Sequence, residues 1–485
     1  MILSKLFKGA PDINIDGFML NSKKKSENSI FFCIEGSVFN GHDFVDEAIA
    51  NGAVCVVFSK SLTKWQKGIV YLQVDDTFKV LTDVVKIFYD DPGSKIDTIG
   101  VTGTNGKTTV AYTIKSILNR FEKTGYIGTL SIEYGDNVIE SNNTTPEITD
   151  LLCYLNNMVK DGCKSVTIET TSQGLDQGRV EGIDFDYTIF TNLSHEHLDY
   201  HQNMDDYFSA KKLLFKGEKK TSIVNIDDEY GKKLFLELTG RKVSYGIYNN
   251  ATYMAKDIEI GTNYTNFTLD FLGTLYRVET NFVAMFNVYN LLAVIACLNQ
   301  KGIKIESILP LLKEIDSVDG RMDLINDDIN FNVLVDFAHT PDGFEKIYSY
   351  ASAITPSDKK IISVFGSAGK RDKLKRPVFG QIASKYSDLI ILTEDDNRDE
   401  KVEDICREIQ EGVSVKSLIV TNRYDAIYQA MMQANQGDTV LVLGKGSETF
   451  MYREKGKEPW IGDNNAVKDI IKNNFIKEDE FNESI

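Results

Sequence analysis

Short, nearly continuous apolar runs recur along this chain, separated by segments whose apolar positions fall at helical spacing. Runs of this kind predict strands buried on both faces, and strands alternating with helices predict parallel sheets. Over residues 1–93 the runs Ser29–Glu35, Val54–Phe58 and Ile69–Val74, with a helix over Val45–Asn51, predict a small α/β unit. The turn cluster Asp90-Asp91-Pro92-Gly93-Ser94 then marks a linker. Over 94–322, strands such as Ser165–Glu169 and Tyr187–Thr191 again alternate with helices. Residues 251–282 differ: apolar and polar positions alternate one by one, which predicts an antiparallel insertion. Over 323–485 the runs Asn332–Phe337, Lys360–Phe365, Leu389–Thr393 and Thr439–Leu443 predict a third α/β unit, ending in a charged, frayed tail, KEDEFNESI. The fold class is therefore α/β with three domains.

Length agrees with that division, since 485 residues accommodate three domains of roughly 100–200 residues each. A net charge of −17 argues against a nucleic-acid partner or an anionic membrane surface. An anionic ligand would need a locally basic pocket. The six cysteines are scattered without a CxxC pair, which predicts reduced core thiols in a cytoplasmic protein. No apolar run approaches the length of a membrane span, so no membrane insertion is expected.

One segment carries the strongest chemistry. An apolar strand breaks at Gly103, passes Thr104, Asn105 and Gly106, and reaches Lys107-Thr108-Thr109 before a helical pattern. Strand, glycine turn, Lys-Thr and helix is the layout that holds a nucleotide triphosphate: backbone N–H groups and the helix N-terminus face the phosphates, Lys107 reaches their outer oxygens and the Thr108 hydroxyl can ligate Mg²⁺. The strict motif has glycine where this chain has Val101, so the loop is a shortened form. Three of the five histidines, His195, His197 and His201, follow the strand YTIFTN, where His197 with Asp199 is either a metal ligand with its orienting carboxylate or a structural pair. Glu169 ends another strand as either a Mg²⁺ ligand or a surface charge. Of Lys211 and Lys212, on an otherwise apolar helix, one should face inward and must be paired or lose its charge. The basic run at 369–376, with Lys370, Arg371, Lys373, Lys375 and Arg376, is either an anion pocket or a solvated helix start. Asp336–Pro341 and Gly444–Glu448 are two more loops at strand ends, and with 366–376 and 393–398 they would line one edge of a sheet.

Taken in order, VTGTNGKTT, NTTPE (143–147), ETTSQGL (169–175), FTNLSHEHLDYH (190–201), AKKLLF, FNVYN (286–290), GRMD (320–323), VDFAHTPD (335–342) and GKGSE resemble the Mur ligases from about residue 15 to residue 465. The likeness is greatest to members that add the third peptide residue, through the N-terminal stretch, the VFGSAGKRDKLKRP run and the TEDDNR segment. The resemblance implies a small uridine-nucleotide domain (1–93), a central ATPase domain of phosphate-loop type (94–322) and a Rossmann-like amino-acid domain (323–485). It implies ATP-dependent addition of a diamino acid to UDP-MurNAc-L-Ala-D-Glu through an acyl phosphate, in peptidoglycan precursor synthesis, by a monomer. Lys107, Glu169, His197 and Lys211 would be catalytic, with Lys211 carbamylated. Two Mg²⁺ sites would draw on Thr108, Glu169, His197 and Lys211. ATP would meet Gly103, Thr104, Asn105, Gly106, Lys107, Thr108, Thr109, Asn287, Asn290, Arg321, Asp336 and His339. The UDP-linked substrate would meet Ser22, Asn143, Thr144, Thr145, Ser172 and Arg179. Arg371, Asp395, Asp396, Arg398, Gly444 and Glu448 would hold the incoming amino acid.

Departures from the family pattern qualify these expectations. Glu-Val-Ser-Ser-His is here Glu169-Thr170-Thr171-Ser172-Gln173, Asp-His-Leu-Asp is Glu196-His197-Leu198-Asp199, and GKGHE is GKGSE. The loop that selects the amino acid, often Asp-Asn-Pro-Arg in enzymes adding meso-diaminopimelate, is Asp395-Asp396-Asn397-Arg398. Arg398 suits the second carboxylate of diaminopimelate, whereas Asp396 would favour a cationic partner. Meso-diaminopimelate is the first expectation and L-lysine the second. Two other readings stay open: a folylpolyglutamate synthetase-like paralogue, and a nucleotide-binding regulator without catalysis.

Overall fold

In the computed structural model, residues 1–475 are described except for 37–38, 199, 218–220, 316–317, 319 and 327. Asp199 and the charged tail thus lie outside the described residues. Three α/β layers follow one another along the chain. The first is a four-stranded parallel sheet of β1 (Gly17–Met19), β2 (Ser29–Phe32), β3 (Ala53–Phe58) and β4 (Val70–Gln73). One face of it shares a core with the next layer: Ile30, Phe32, Leu81 and Val85 belong to the same apolar cluster as Ile148, Leu151, Leu155 and Ile168.

The second sheet has eleven strands. They are β5 (Asp97–Thr102), β6 (Thr124–Ile127), β7 (Ile132–Tyr134), β8 (Asn137–Ile139), β9 (Ser165–Glu169), β10 (Tyr187–Phe190), β11 (Thr221–Asn225), β12 (Lys242–Gly246), β13 (Tyr253–Ile260), β14 (Thr265–Phe271) and β15 (Thr274–Thr280). Their order is β15-β14-β13-β12-β11-β10-β5-β9-β6-β7-β8, parallel from β13 to β6 and antiparallel at both edges. The alternating segment at 251–282 is antiparallel within itself, as expected, and is continuous with the main sheet. Its first strand pairs in parallel with β12, Tyr245 opposite Tyr253, and the hairpins extend the same sheet. The period of two arises because one face, Tyr253, Ala255, Phe267, Leu269 and Val278, is buried in the core shared with helix Met285–Gln300, while the other meets solvent.

The third sheet runs β16 (Asp323–Ile325), β17 (Asn332–Asp336), β21 (Thr439–Leu443), β18 (Ile361–Phe365), β19 (Leu389–Leu392) and β20 (Lys416–Ile419), parallel except at β16. A hairpin of β22 (Phe450–Arg453) and β23 (Gly456–Pro459) follows. Under the carboxyl edge of this sheet Arg423, 0% exposed, donates twice to Asp463 (2.7 Å each) and to the carbonyls of Glu394 (3.2 Å) and Leu443 (2.9 Å). One guanidinium thus fixes the roots of the loops after β19 and β21. Among the described residues no helix is long and apolar enough to cross a membrane.

Helix Pro341–Ile354 opens on Thr340, whose hydroxyl accepts from the Gly343 N–H at 3.0 Å, with proline in its first turn. Thr340→Ala should lower stability by about 1 kcal/mol, the usual worth of an N-cap. Thermal unfolding followed by circular dichroism would register this as a small fall in midpoint. No change would mean that the cap contributes nothing.

Candidate active site

Four adjacent strands of the central sheet, β11, β10, β5 and β9, deliver their carboxyl ends to one place. After β5 the chain makes the predicted loop, and helix Lys107–Leu118 begins at Lys107. The loop needs its glycines. Gly106 has φ 86°, and a Cβ there would lie 2.4 Å from Asn290 Oδ1; a Cβ on Gly103 would lie 1.9 Å from Thr191 Oγ1. The tip is held from β10: Asn105 N–H donates to Asn192 Oδ1 (2.9 Å), and Thr191 Oγ1 donates to Asn105 O (2.6 Å). Lys107 curls onto its own loop, Nζ donating to the carbonyls of Gly103 (2.9 Å) and Thr104 (2.7 Å). Desolvation lowers its pKa, opposed by the charges of Glu196 and Glu169.

Glu169, at the end of β9, is fully buried rather than a surface charge. Its carboxylate accepts from Thr108 Oγ1 (2.8 Å), Tyr126 OH (2.6 Å), Thr129 N–H (2.9 Å) and Thr129 Oγ1 (3.2 Å). Beyond β10, His197 adopts φ 56°, a left-handed conformation that turns the chain sharply. Burial, helped by Lys211 and Lys107 and opposed by Glu196, pushes its pKa down to about 4, so the ring is neutral at pH 7 with a lone pair free to bind. Neighbouring Glu196 accepts from His339 Nε2 at 2.9 Å. Burial works against its charge, yet the hydrogen bond from His339 and the nearby charge of Lys107 hold it well below the usual carboxylate range.

Lys211 is the inward lysine, 1% exposed, its Nζ donating to Gly103 O (2.8 Å) and lying 4.6 Å from the centre of the Tyr207 ring. Burial first, and Lys107 second, drive its pKa well below the ordinary lysine value. Lys212 instead pairs with Glu237.

A cavity of about 870 Å³ opens between these strand ends and the third layer. Of the expected nucleotide contacts, Thr104, Asn105, Gly106, Lys107, Thr108, Thr109, Asn287, Asn290, Arg321, Asp336 and His339 line it, and so do Glu169 and His197. Asn143, Thr144, Thr145, Ser172 and Arg179 line it too. Among the described residues Ser172 Oγ is buried without a hydrogen-bond partner, a hydroxyl disposed to meet a ligand, while Arg179 donates to Thr145 O (2.9 Å) and faces Glu147 (3.1 Å). Gly103 and Lys211 do not line the cavity: Gly103 packs on Thr191, and Lys211 bonds the Gly103 carbonyl. Nor does Ser22, which lies in the first layer and donates to Glu47 Oε2 (2.5 Å).

The third layer closes on the phosphate loop through named contacts. Asn105 Nδ2 donates to Asp342 (3.0 Å), Arg321 reaches Thr108 Oγ1 (3.4 Å) while stacking on Phe337 (4.3 Å), and His339 meets Glu196. Burial raises Asp336 to about 6, although Met322 and Ala338 N–H groups stabilise its charge.

The expected amino-acid residues form a second group, of which Glu448 alone lines the cavity. Asp395, Asp396, Arg398 and Gly444 gather beside it at the carboxyl ends of β19 and β21, and Arg371 lies in the loop that follows β18. Arg398 donates to Gly369 O (2.5 Å), Asp396 O accepts from Gly369 N–H (3.0 Å), and a Cβ on Gly444 would sit 2.4 Å from Asp395. The basic run is largely consumed internally. Lys370 pairs with Asp399 (2.5 Å), Lys373 with Glu400 (3.0 Å), and fully buried Arg376 with Glu400 (3.0 Å) and Glu408 (2.6 Å). It is therefore a structural network more than an anion pocket. Asp396, expected to favour a cation, is already engaged by Lys445 Nζ and Tyr452 N–H, both at 2.9 Å. Tyr126, Thr129, Glu196 and Lys445 were not singled out in the sequence. Glu196 carried a signal as a departure beside His197, and Lys445 as part of the loop Gly444–Glu448; Tyr126 and Thr129 carried none.

Among the described residues no cluster of three or more His, Cys, Asp or Glu forms a ready metal site. The donor set nevertheless suits a hard cation, since Thr108 hydroxyl and Glu169 carboxylate oxygens lie 2.8 Å apart and both residues line the cavity.

The chain matches the Mur ligase middle domain over residues 101–298, the Mur ligase glutamate ligase domain over 320–446 and the Mur ligase family catalytic domain over 14–83. It is 40% identical, over 98% of its length and 97% of the relative's, to UDP-N-acetylmuramoyl-L-alanyl-D-glutamate--2,6-diaminopimelate ligase 1 of Clostridium acetobutylicum. It is 39% identical to the ligase of that type from Aquifex aeolicus, covering 94% of each chain. A solved structure of a UDP-N-acetylmuramoyl-L-alanyl-D-glutamate--2,6-diaminopimelate ligase superposes with TM-score 0.68 and 26% identity, over 98% of this chain and 100% of that one.

Proposed function

This chain belongs to the Mur ligase family, and from that premise we propose that it is the ATP-dependent ligase joining meso-diaminopimelate to UDP-MurNAc-L-Ala-D-Glu, releasing ADP and phosphate. One observation carries the reading. The phosphate loop, the buried acid Glu169 and the threonine–arginine wall of Thr144, Thr145 and Arg179 come from distant segments, yet line one cavity. A triphosphate and a carboxylate can meet there.

A carboxylate is a poor electrophile, and phosphorylation supplies the leaving group. The D-glutamate carboxylate oxygen attacks the γ-phosphorus, ADP leaves, and the amine then adds to the acyl carbon and expels phosphate. The chain's task is to position these groups and neutralise charge. Thr104–Gly106 and the start of helix Lys107–Leu118 present N–H groups to the phosphates. Lys107 exchanges its two carbonyl partners for phosphate oxygens. Asn287, Asn290, Arg321, Asp336 and His339 surround the rest of the nucleotide, and Arg179 and Ser172 orient the acid. Thr108, Glu169 and His197 would hold Mg²⁺, which screens the phosphate charges when bound. Carbamylation requires a neutral amine, and burial with the charge of Lys107 shifts Lys211 in that direction. Because both ATP and a UDP-linked substrate are met in the cytoplasm, the reading puts the enzyme there.

The test is a phosphate-release assay with ATP, Mg²⁺ and UDP-MurNAc-L-Ala-D-Glu. Release should require all components and a diamino acid, with one phosphate per amide by mass spectrometry. Absence of turnover with diaminopimelate, lysine and ornithine alike would reject the reading.

A further inference from the structure

Position 396 is where this chain's selecting loop carries an extra negative charge. A bare carboxylate beside the amino-acid pocket would attract a side-chain ammonium and repel a second carboxylate. Lys445 lies directly against it. This lysine is 1% exposed, its Nζ 2.9 Å from Asp396 Oδ1, also bonded to Glu448 and 5.0 Å from the centre of the Phe450 ring. Asp396 Oδ1 further accepts from Tyr452 N–H at 2.9 Å. Other charges in this corner are matched elsewhere: Arg423 with Asp463, and Arg453 with Glu394 through two bonds of 2.9 Å. Asp395, buried beside them, has its pKa raised by burial and by Asp396, against Lys445 and Arg423. Arg398, half-buried against Tyr452, donates instead to the carbonyls of Gly369 (2.5 Å) and Asp396 (3.4 Å). Those acceptors are neutral, so neither balances its charge.

We propose that Lys445 sets the amino-acid preference: by neutralising Asp396 it leaves Arg398 as the charge the incoming side chain meets, so a diamino acid with a second carboxylate is chosen over one with a bare ammonium. Lys445 is thus a positioning residue that acts through Asp396. The inference rests on the ligase reading above.

The experiment measures kcat/KM for meso-diaminopimelate and for L-lysine in the wild type, Lys445→Met, Asp396→Asn and the double variant. Lys445→Met should move the ratio toward lysine by about tenfold, since an uncompensated carboxylate disfavours the anionic side chain and favours the cationic one. Asp396→Asn alone should hold or raise the preference for diaminopimelate, and adding it to Lys445→Met should restore the wild-type ratio. A merely structural lysine would depress both substrates together and leave the ratio unmoved, which would overturn the proposal. So would a shift toward lysine in Asp396→Asn, a variant that decides the matter even if Lys445→Met does not fold. Loss of all turnover in the wild type would instead bring down the ligase reading, and this inference with it.

Discussion

Lys107→Ala should reduce phosphate release by roughly a thousandfold at saturating ATP, the upper range for deleting one preorganised charge from a phosphoryl-transfer site. Lys107 begins the helix after the phosphate loop, and its ammonium has only two carbonyls to trade for phosphate oxygens. That trade is favourable because a phosphate oxygen carries charge and a carbonyl does not. Desolvation lowers the lysine's pKa, and the negative charge of a phosphate would raise it again on arrival. Lys107→Met should behave like the alanine variant while keeping the stem's packing, which separates lost charge from lost volume. Far-ultraviolet circular dichroism must be unchanged for the comparison to count. A kcat within tenfold of wild type, in either variant, would remove Lys107 from the chemistry and leave the loop without its proposed role.

Much of the fold was readable because parallel strands buried on both faces leave apolar runs that local inspection finds. Ser165–Glu169 and Thr439–Leu443 match their predicted spans. The same logic located the loops, since a run's carboxyl end is where the next loop must start. That one of Lys211 and Lys212 turns inward was legible for a different reason: a lysine among apolar helix positions has nowhere polar to go. What stayed hidden depends on pairs far apart in sequence. Nothing near Tyr126 says that its hydroxyl holds Glu169, 43 residues later. The basic run at 369–376 looked like an anion pocket because the acids that quench it, Asp399, Glu400 and Glu408, belong to a later loop and helix. Asp396 looked like an open charge because Lys445 lies 49 residues away. The segment at 251–282 showed its antiparallel pairing through its period but not its place: alternation reports that one face is wet, which is equally true of a sheet's edge and of an insertion.

Arg398→Ala should cut kcat/KM for meso-diaminopimelate by about a hundredfold while changing that for L-lysine less than about threefold, because only diaminopimelate has a second carboxylate for the guanidinium. A charge-assisted hydrogen bond contributes about 1.5–3 kcal/mol, or roughly ten- to hundredfold. The upper end applies here because the guanidinium is half-buried, stacked near Tyr452 at 5.8 Å and already oriented by Gly369 O, so little side-chain freedom remains to be lost on binding. Backbone strain complicates the substitution equally for both amino acids: residue 398 has φ 52°, which alanine tolerates no better than arginine. Any loss from a distorted loop therefore appears in both columns and cancels in the ratio. Arg398→Lys keeps the charge but loses the fork, and should fall between wild type and alanine for diaminopimelate. Parallel losses with both substrates would show that Arg398 only shapes the loop. Full activity of Arg398→Ala with diaminopimelate would mean that another cation reads the second carboxylate, and Arg371, in the loop after β18, would become the one to replace.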